Sequence, residues 1–132
     1  MRLWPLAILK KLPDRQLLGQ HRECCALRGK GWGRKHSTVD YVFKHPYYWL
    51  WIYHISIMEE MRRRGFGLDV DWCDLCYRGK KIGYDHSRFT TYSTPAIAQI
   101  YPEHDKAYVA ECIKNLRRKG VEIKIKNKGK EK

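Results

Sequence analysis

The chain has 132 residues and carries 27 lysines and arginines against 14 aspartates and glutamates, a formal charge of +13 at pH 7. That length allows one domain with a modest core and excludes a separate catalytic domain beside it, so a single active surface is expected. The charge points to a polyanionic partner, nucleic acid first and an anionic membrane surface second. A membrane-spanning helix is excluded: the longest mostly apolar stretch, Tyr47 to Met58, contains Tyr53, His54 and Ser56 and falls short of the roughly 20 residues a span needs.

The opening apolar run, Leu3 to Leu9, is broken by Pro5 and followed by Lys10 and Lys11, and reads as mature protein rather than a cleaved leader. Pro13 and Asp14 then open a helix whose apolar-side positions Leu17, Leu18, His21, Cys24 and Cys25 fall three and four apart, ending near Gly29. Its other face carries Arg15, Gly19, Arg22, Glu23 and Ala26, where the small residues leave the charged pair Arg22-Glu23 accessible. Residues 29–37 hold three glycines among Lys30, Arg34, Lys35 and His36 and predict a basic loop.

Ser37 or Thr38 is placed to cap a short helix through Phe43, and Pro46 to start a second long helix running to Arg64, with Gly65 just beyond. The consecutive aromatics from Tyr47 to Tyr53 must point in several directions on that helix, so most belong to the core rather than to a base-stacking surface. Residues 66–93 lack periodicity and predict irregular structure with short extended pieces. Thr94-Pro95 signals a short helix, and Pro102 a final long one over Glu103 to Lys119, stopped by Gly120. Val121 to Lys126 alternates with period two and predicts a short extended segment ahead of a lysine-rich tail, residues 127–132.

Five cysteines, Cys24, Cys25, Cys73, Cys76 and Cys112, form an odd set with no secretory signal, which favours reduced thiols in the cytoplasm. Cys73-x-x-Cys76, with His86 and His104 further on, supplies only one of the two pairs a structural zinc site uses, so no metal and no cofactor are expected.

The sites that remain are the ion pair Arg22-Glu23 and the cations around it. Spacing alone favours reading Arg22-Glu23 as a solvated helix face over a functional one. Several short matches in order alter that balance: Arg2 beside the N-terminus, Leu12-x-Asp14-x-x-Leu17 opening the first helix, Arg22-Glu23 within it, Arg34-Lys35-His36 after it, and Arg64-Gly65-Phe66 ending the next. In these the first half of the chain resembles the phage-type pyrimidine dimer DNA glycosylases, the small UV endonucleases also called phage endonuclease V. Met1-Arg2-Leu3-Trp4 is similar to the opening of bacterial relatives.

The resemblance implies a compact all-α domain over residues 1–126 with long irregular loops, and a DNA repair enzyme with glycosylase and AP lyase activities that works without a cofactor. The N-terminal α-amine would attack the sugar C1′ of the damaged nucleotide and form an imine, with Glu23 as the essential acid/base. Phage members use a threonine exposed by removal of the initiator methionine. Here Arg2 follows Met1, and a bulky second residue blocks that removal, so Met1 takes the part of the nucleophile. Arg2, Arg15, Arg22, Arg34, Lys35 and His36 would grip the DNA.

The phage enzyme's aromatic-rich C-terminus, associated with dimer recognition, is replaced here by Asn127 to Lys132. The expected partner is double-stranded, UV-damaged DNA, met by a monomer in the cytoplasm and associated with the nucleoid. Two other readings stay open: a glycosylase/lyase for a different damaged or modified base, and a non-catalytic basic DNA-binding protein in which Glu23 is only a surface partner of Arg22.

Overall fold

The structure, a computed structural model, describes residues 2–34, 38–86 and 99–123. Met1, Lys35, His36, Ser37, the helix expected at Thr94-Pro95 and the lysine-rich tail lie outside the described residues. The described part is helical: α1 spans Asp14–Arg28, α2 Tyr47–Arg63 and α3 Lys106–Arg118, with 3-10 turns at Leu6–Lys11, Asp40–Lys44 and Val70–Cys73. The all-α expectation is met. Beyond one isolated bridge between Tyr77 and Tyr84, no strand pairing occurs among the described residues.

Local chemistry explains the boundaries. Pro13 precedes α1 in an extended conformation, and Asp14 puts a carboxylate in the positive first turn while also pairing with Arg64 at 3.0 Å. Beyond Gly29, Gly31 folds back so closely that its N–H bonds the Ala26 carbonyl at 2.9 Å and a Cβ there would meet that oxygen at 2.7 Å. Both α2 and α3 end in a glycine at positive φ, Gly65 and Gly120. In each, the residue after that glycine bonds back to the last turn, Phe66 to Met61 and Val121 to Leu116, closing carbonyls the helix leaves open.

Two boundaries differ from expectation. The last helix begins at Lys106 rather than Glu103, because Asp105 and not Pro102 supplies the start: its side chain accepts the Tyr108 N–H at 2.9 Å. The N-terminal apolar run coils into the 3-10 turn Leu6–Lys11, which buries Ile8 and Leu9. Residues 121–123 pair with no strand, although Ile123 is buried.

The core joins all three helices to the N-terminal segment. Leu3, Ile8 and Leu12 meet Leu17, Cys24 and Leu27 of α1, Leu50, Tyr53, Ile57 and Met61 of α2, and Cys112 and Leu116 of α3. Of the aromatic run, Tyr47 and Tyr53 are buried while Tyr48, Trp49 and Trp51 are half-buried, in line with a core role for most of it. No helix is long and apolar enough to cross a membrane among the described residues.

Buried polar groups complete the frame. The Arg28 guanidinium is fully buried, and its donors reach the Tyr47 hydroxyl, His54 Nδ1 and the carbonyls of Trp72, Asp74 and Tyr77 at 2.7–3.1 Å. Arg78 donates to the carbonyls of Arg28 and Gly29, closing the end of α1. Glu60, at the foot of α2, binds both Arg63 and Arg64, and Arg64 continues to the Leu12 and Lys10 carbonyls. Carrying these two arginines holds the Glu60 carboxyl down to about 2.

Candidate active site

The N-terminal segment runs along α1, and its backbone polar groups have specific side-chain partners. The Arg2 N–H donates to Glu23 Oε1 at 3.4 Å. The Arg2 carbonyl accepts from Gln20 Nε2 at 3.0 Å, and Gln20 Oε1 in turn accepts from the Trp4 N–H. The Leu3 carbonyl accepts from the Tyr108 hydroxyl at 2.8 Å, and the Trp4 carbonyl accepts from the Tyr53 hydroxyl, which also lies 2.7 Å from Gln20 Oε1. The anchors come from all three helices: Gln20 and Glu23 from α1, Tyr53 from α2 and Tyr108 from α3.

Gln20 is the hub. It is 2% exposed and satisfies both a donor and an acceptor of the segment, so the segment's direction and register are fixed rather than adjustable. Burial raises the Tyr53 and Tyr108 hydroxyls above their ordinary range, Tyr53 by desolvation first of all, so both stay protonated donors.

Between the N-terminal segment and α1 lies a cleft of about 650 Å³. α1 contributes Arg15, Gln16, Gly19, Gln20, Arg22 and Glu23; the N-terminal segment contributes Arg2 and Trp4; Thr38, Asn115 and Lys119 close the rim. Four of these residues are cations and one, Glu23, is a carboxylate, so the cleft joins a field that attracts phosphate to a single proton-handling group. Glu23 is half-buried, whereas Arg15 and Arg22 are exposed at the mouth. Across the cleft, Asn115 Oδ1 is buried and has no hydrogen-bond partner among the described residues.

Most of the sequence-predicted residues that can be placed do gather here: Arg2, Arg15, Arg22 and Glu23 all line the cleft. The Arg2 side chain, however, turns toward α3, where it pairs with Glu111 at 3.2 Å and lies over the Tyr108 ring. Arg34 is exposed on the glycine-rich turn and is not part of the cleft lining. Met1, Lys35 and His36 lie outside the described residues.

Sequence reasoning missed Gln20, Tyr53 and Tyr108 as anchors and Asn115 and Lys119 as lining. One signal was available: a glutamine between Leu17 and Cys24 on the buried side of a helix is a polar residue in a core position, and such a group needs partners. The zinc ligands weighed in the sequence do not assemble, since no group of three potential ligands among the described residues includes Cys73, Cys76, His86 or His104. His104 instead packs among Tyr41, Tyr101 and Tyr108.

Comparison with known proteins gives one family. The sequence profile of the pyrimidine dimer DNA glycosylases matches residues 1–74, which contain α1, α2 and the Glu23 side of the cleft, while α3 lies beyond the match. Searches of curated proteins and of solved structures return no significant match. The match covers more than half of the 132 residues, and the chain belongs to the pyrimidine dimer DNA glycosylase family, a family of DNA repair enzymes.

Proposed function

We propose that this enzyme excises a base from UV-damaged duplex DNA through the N-terminal α-amine of Met1, with Glu23 as acid/base, and that the same amine then cleaves the strand as an AP lyase. The observation that carries this reading is the Arg2 N–H resting on Glu23 within an otherwise cationic cleft. The residue-2 nitrogen thus lies beside the carboxylate of the cleft, and Met1 is one peptide unit upstream in sequence.

An α-amine has an ordinary pKa of about 8, roughly two units below a lysine side chain, so a useful fraction is neutral and nucleophilic near pH 7. Attack of the amine nitrogen on C1′ breaks the glycosidic bond, and the base departs with its electron pair. Glu23 stabilises the positive charge that grows on the sugar, then moves protons as the ring opens and the imine forms. The imine acidifies the C2′ hydrogen; its removal expels the 3′ phosphate and nicks the strand.

The cations hold the flanking phosphates. Arg15 and Arg22 stand at the mouth, and Arg34, Lys35 and His36 follow in sequence. Reaching the sugar requires a bent duplex and an extruded nucleotide, whose cost these phosphate interactions offset.

The test is borohydride reduction of the protein mixed with duplexes that carry a cyclobutane pyrimidine dimer, an abasic site, other base lesions or no damage. A covalent protein–DNA adduct on the dimer duplex, lost in Glu23→Gln while salt-sensitive binding persists, is the expected result. Trapping only on another lesion would reassign the substrate, and no trapping on any duplex would leave a DNA-binding protein without this chemistry.

A further inference from the structure

On the side of α1 away from Glu23, a second polar cluster has no part in the chemistry above. His21 and Cys25 stand one turn apart on α1, and His54 faces them from α2. His21 Nδ1 lies 2.8 Å from His54 Nε2, and Cys25 Sγ lies 4.0 Å from the first and 3.9 Å from the second. They form the one group of three potential metal ligands among the described residues, all three atoms within 4.8 Å of one another. We propose that His21, Cys25 and His54 bind a divalent ion of the zinc class that pins α1 to α2 behind the active face.

The triangle is close to what such an ion needs. With bonds of about 2.0–2.1 Å to imidazole nitrogen and about 2.3 Å to thiolate, tetrahedral geometry sets nitrogen–nitrogen at about 3.3 Å and nitrogen–sulfur at about 3.6 Å. The nitrogens must part, and the sulfur approach, by roughly half an ångström or less, and both rings must turn, since their nitrogens now face each other along a hydrogen bond and Cys25 Sγ lies 3.8 Å from His21 Nε2, nearer than to Nδ1. Two imidazoles and a thiolate are the donors that favour zinc over magnesium or calcium, which prefer oxygen. His54 is fully buried while His21 and Cys25 are half-buried, so the ion has an entry side.

The surrounding charges set the affinity. Arg28 Nη1 lies 2.9 Å from His54 Nδ1, so in the metal-free protein Nδ1 accepts from Arg28 and Nε2 carries the hydrogen that His21 Nδ1 accepts. On metal binding that hydrogen leaves Nε2 and Nδ1 takes one up, which turns the Arg28 contact into two facing donors, so the His54 ring must turn away from Arg28 and this loss opposes binding, while the bonds of Arg28 to Tyr47, Trp72, Asp74 and Tyr77 persist. The thiol proton of Cys25 goes to solvent. Because a thiolate is the ligand and its proton is displaced, affinity for the metal rises with pH. Arg28 opposes a cation in the cluster and Asp69, which acts on both His21 and Cys25, offsets it; Arg22 lies on the His21 side.

The experiment is titration of the metal-free full-length protein with Co2+, followed by displacement with Zn2+. One equivalent of cobalt is expected to bring up a thiolate-to-cobalt charge-transfer band and intense tetrahedral ligand-field bands, both erased by Zn2+. Cys25→Ser should remove the charge-transfer band, and His21→Ala should weaken binding at least about tenfold. Cys73→Ser/Cys76→Ser should change neither, and circular dichroism of each variant confirms that it is folded. No stoichiometric cobalt binding, or a band that survives Cys25→Ser and vanishes with the Cys73/Cys76 pair, overturns the proposal. Because the readout is spectroscopic and needs no DNA, its outcome is independent of the glycosylase chemistry.

Discussion

The two polar sides of α1 are built on opposite principles. On one side Arg15, Arg22 and Glu23 stand at or near the surface, and what matters is where the N-terminal segment is held against them. On the other, His54 and Arg28 are sealed in and matched donor to acceptor, with His21 and Cys25 at the edge. An exposed cluster tolerates loss of a charge at little structural cost, while a buried one does not, because each orphaned group keeps its full desolvation penalty. The Glu23 side is therefore expected to fail in activity without failing in stability, and the buried side to fail in stability first.

The largest expected effect is on the exposed side. Glu23→Gln should lower strand cleavage by about 100- to 10,000-fold, the range associated with a lost acid/base, with thermal midpoint and DNA affinity nearly unchanged. Single-turnover cleavage beside a binding titration checks it, and a matching loss of binding would break the contrast. Gln20→Ala should sit between the two classes. It removes the hub that holds Arg2 and Trp4, so it should cost about 1–3 kcal/mol in urea unfolding and lower single-turnover cleavage while leaving Glu23 in place.

The buried histidines sharpen the other half of the comparison. Burial lowers His54 well below its ordinary value and lowers His21, and it brings His104 down to about 4. The unfolded chain takes up these protons near pH 6.5, so the stabilisation is complete above about 6.5 and is lost as pH falls toward 4, with His104 alone accounting for roughly 3 kcal/mol. Glu60 adds a loss below about 4.5, complete once pH has passed its value of about 2. Urea unfolding from pH 8 to 4 measures the slope, and a flat profile would contradict the buried-neutral assignment. The smallest effect is expected for Arg15→Ala or Arg34→Ala: weaker DNA binding, with the slope of log affinity against log salt falling by about one for each phosphate no longer gripped.

How much of this could be read from the residues follows the same division. The long helices and the Arg15, Arg22, Glu23 strip were legible, because helical period and strong end signals such as Pro13, Gly65 and Gly120 are local properties. The start of the last helix was set too early because Pro102 and Asp105 give competing local signals, and only the hydrogen bond to Tyr108 decides between them. Gln20, Tyr53 and Tyr108 were invisible as a unit since they meet only when three helices pack on the N-terminal segment. His21 and Cys25 read as apolar-face positions, and no metal was expected. Their meaning depends on His54, far along the chain on another helix, which a pattern within one helix cannot report.

The central claim is that the α-amine of Met1, one residue ahead of the Arg2 nitrogen that rests on Glu23, is the group that bonds to DNA. Intact-mass measurement of the purified protein, followed by peptide mass mapping of the borohydride-trapped complex with dimer-containing duplex, tests it directly. The account predicts a retained, unblocked Met1 and a reduced sugar adduct on its α-amine. A modified N-terminus that still traps, or an adduct on a lysine side chain, would contradict it.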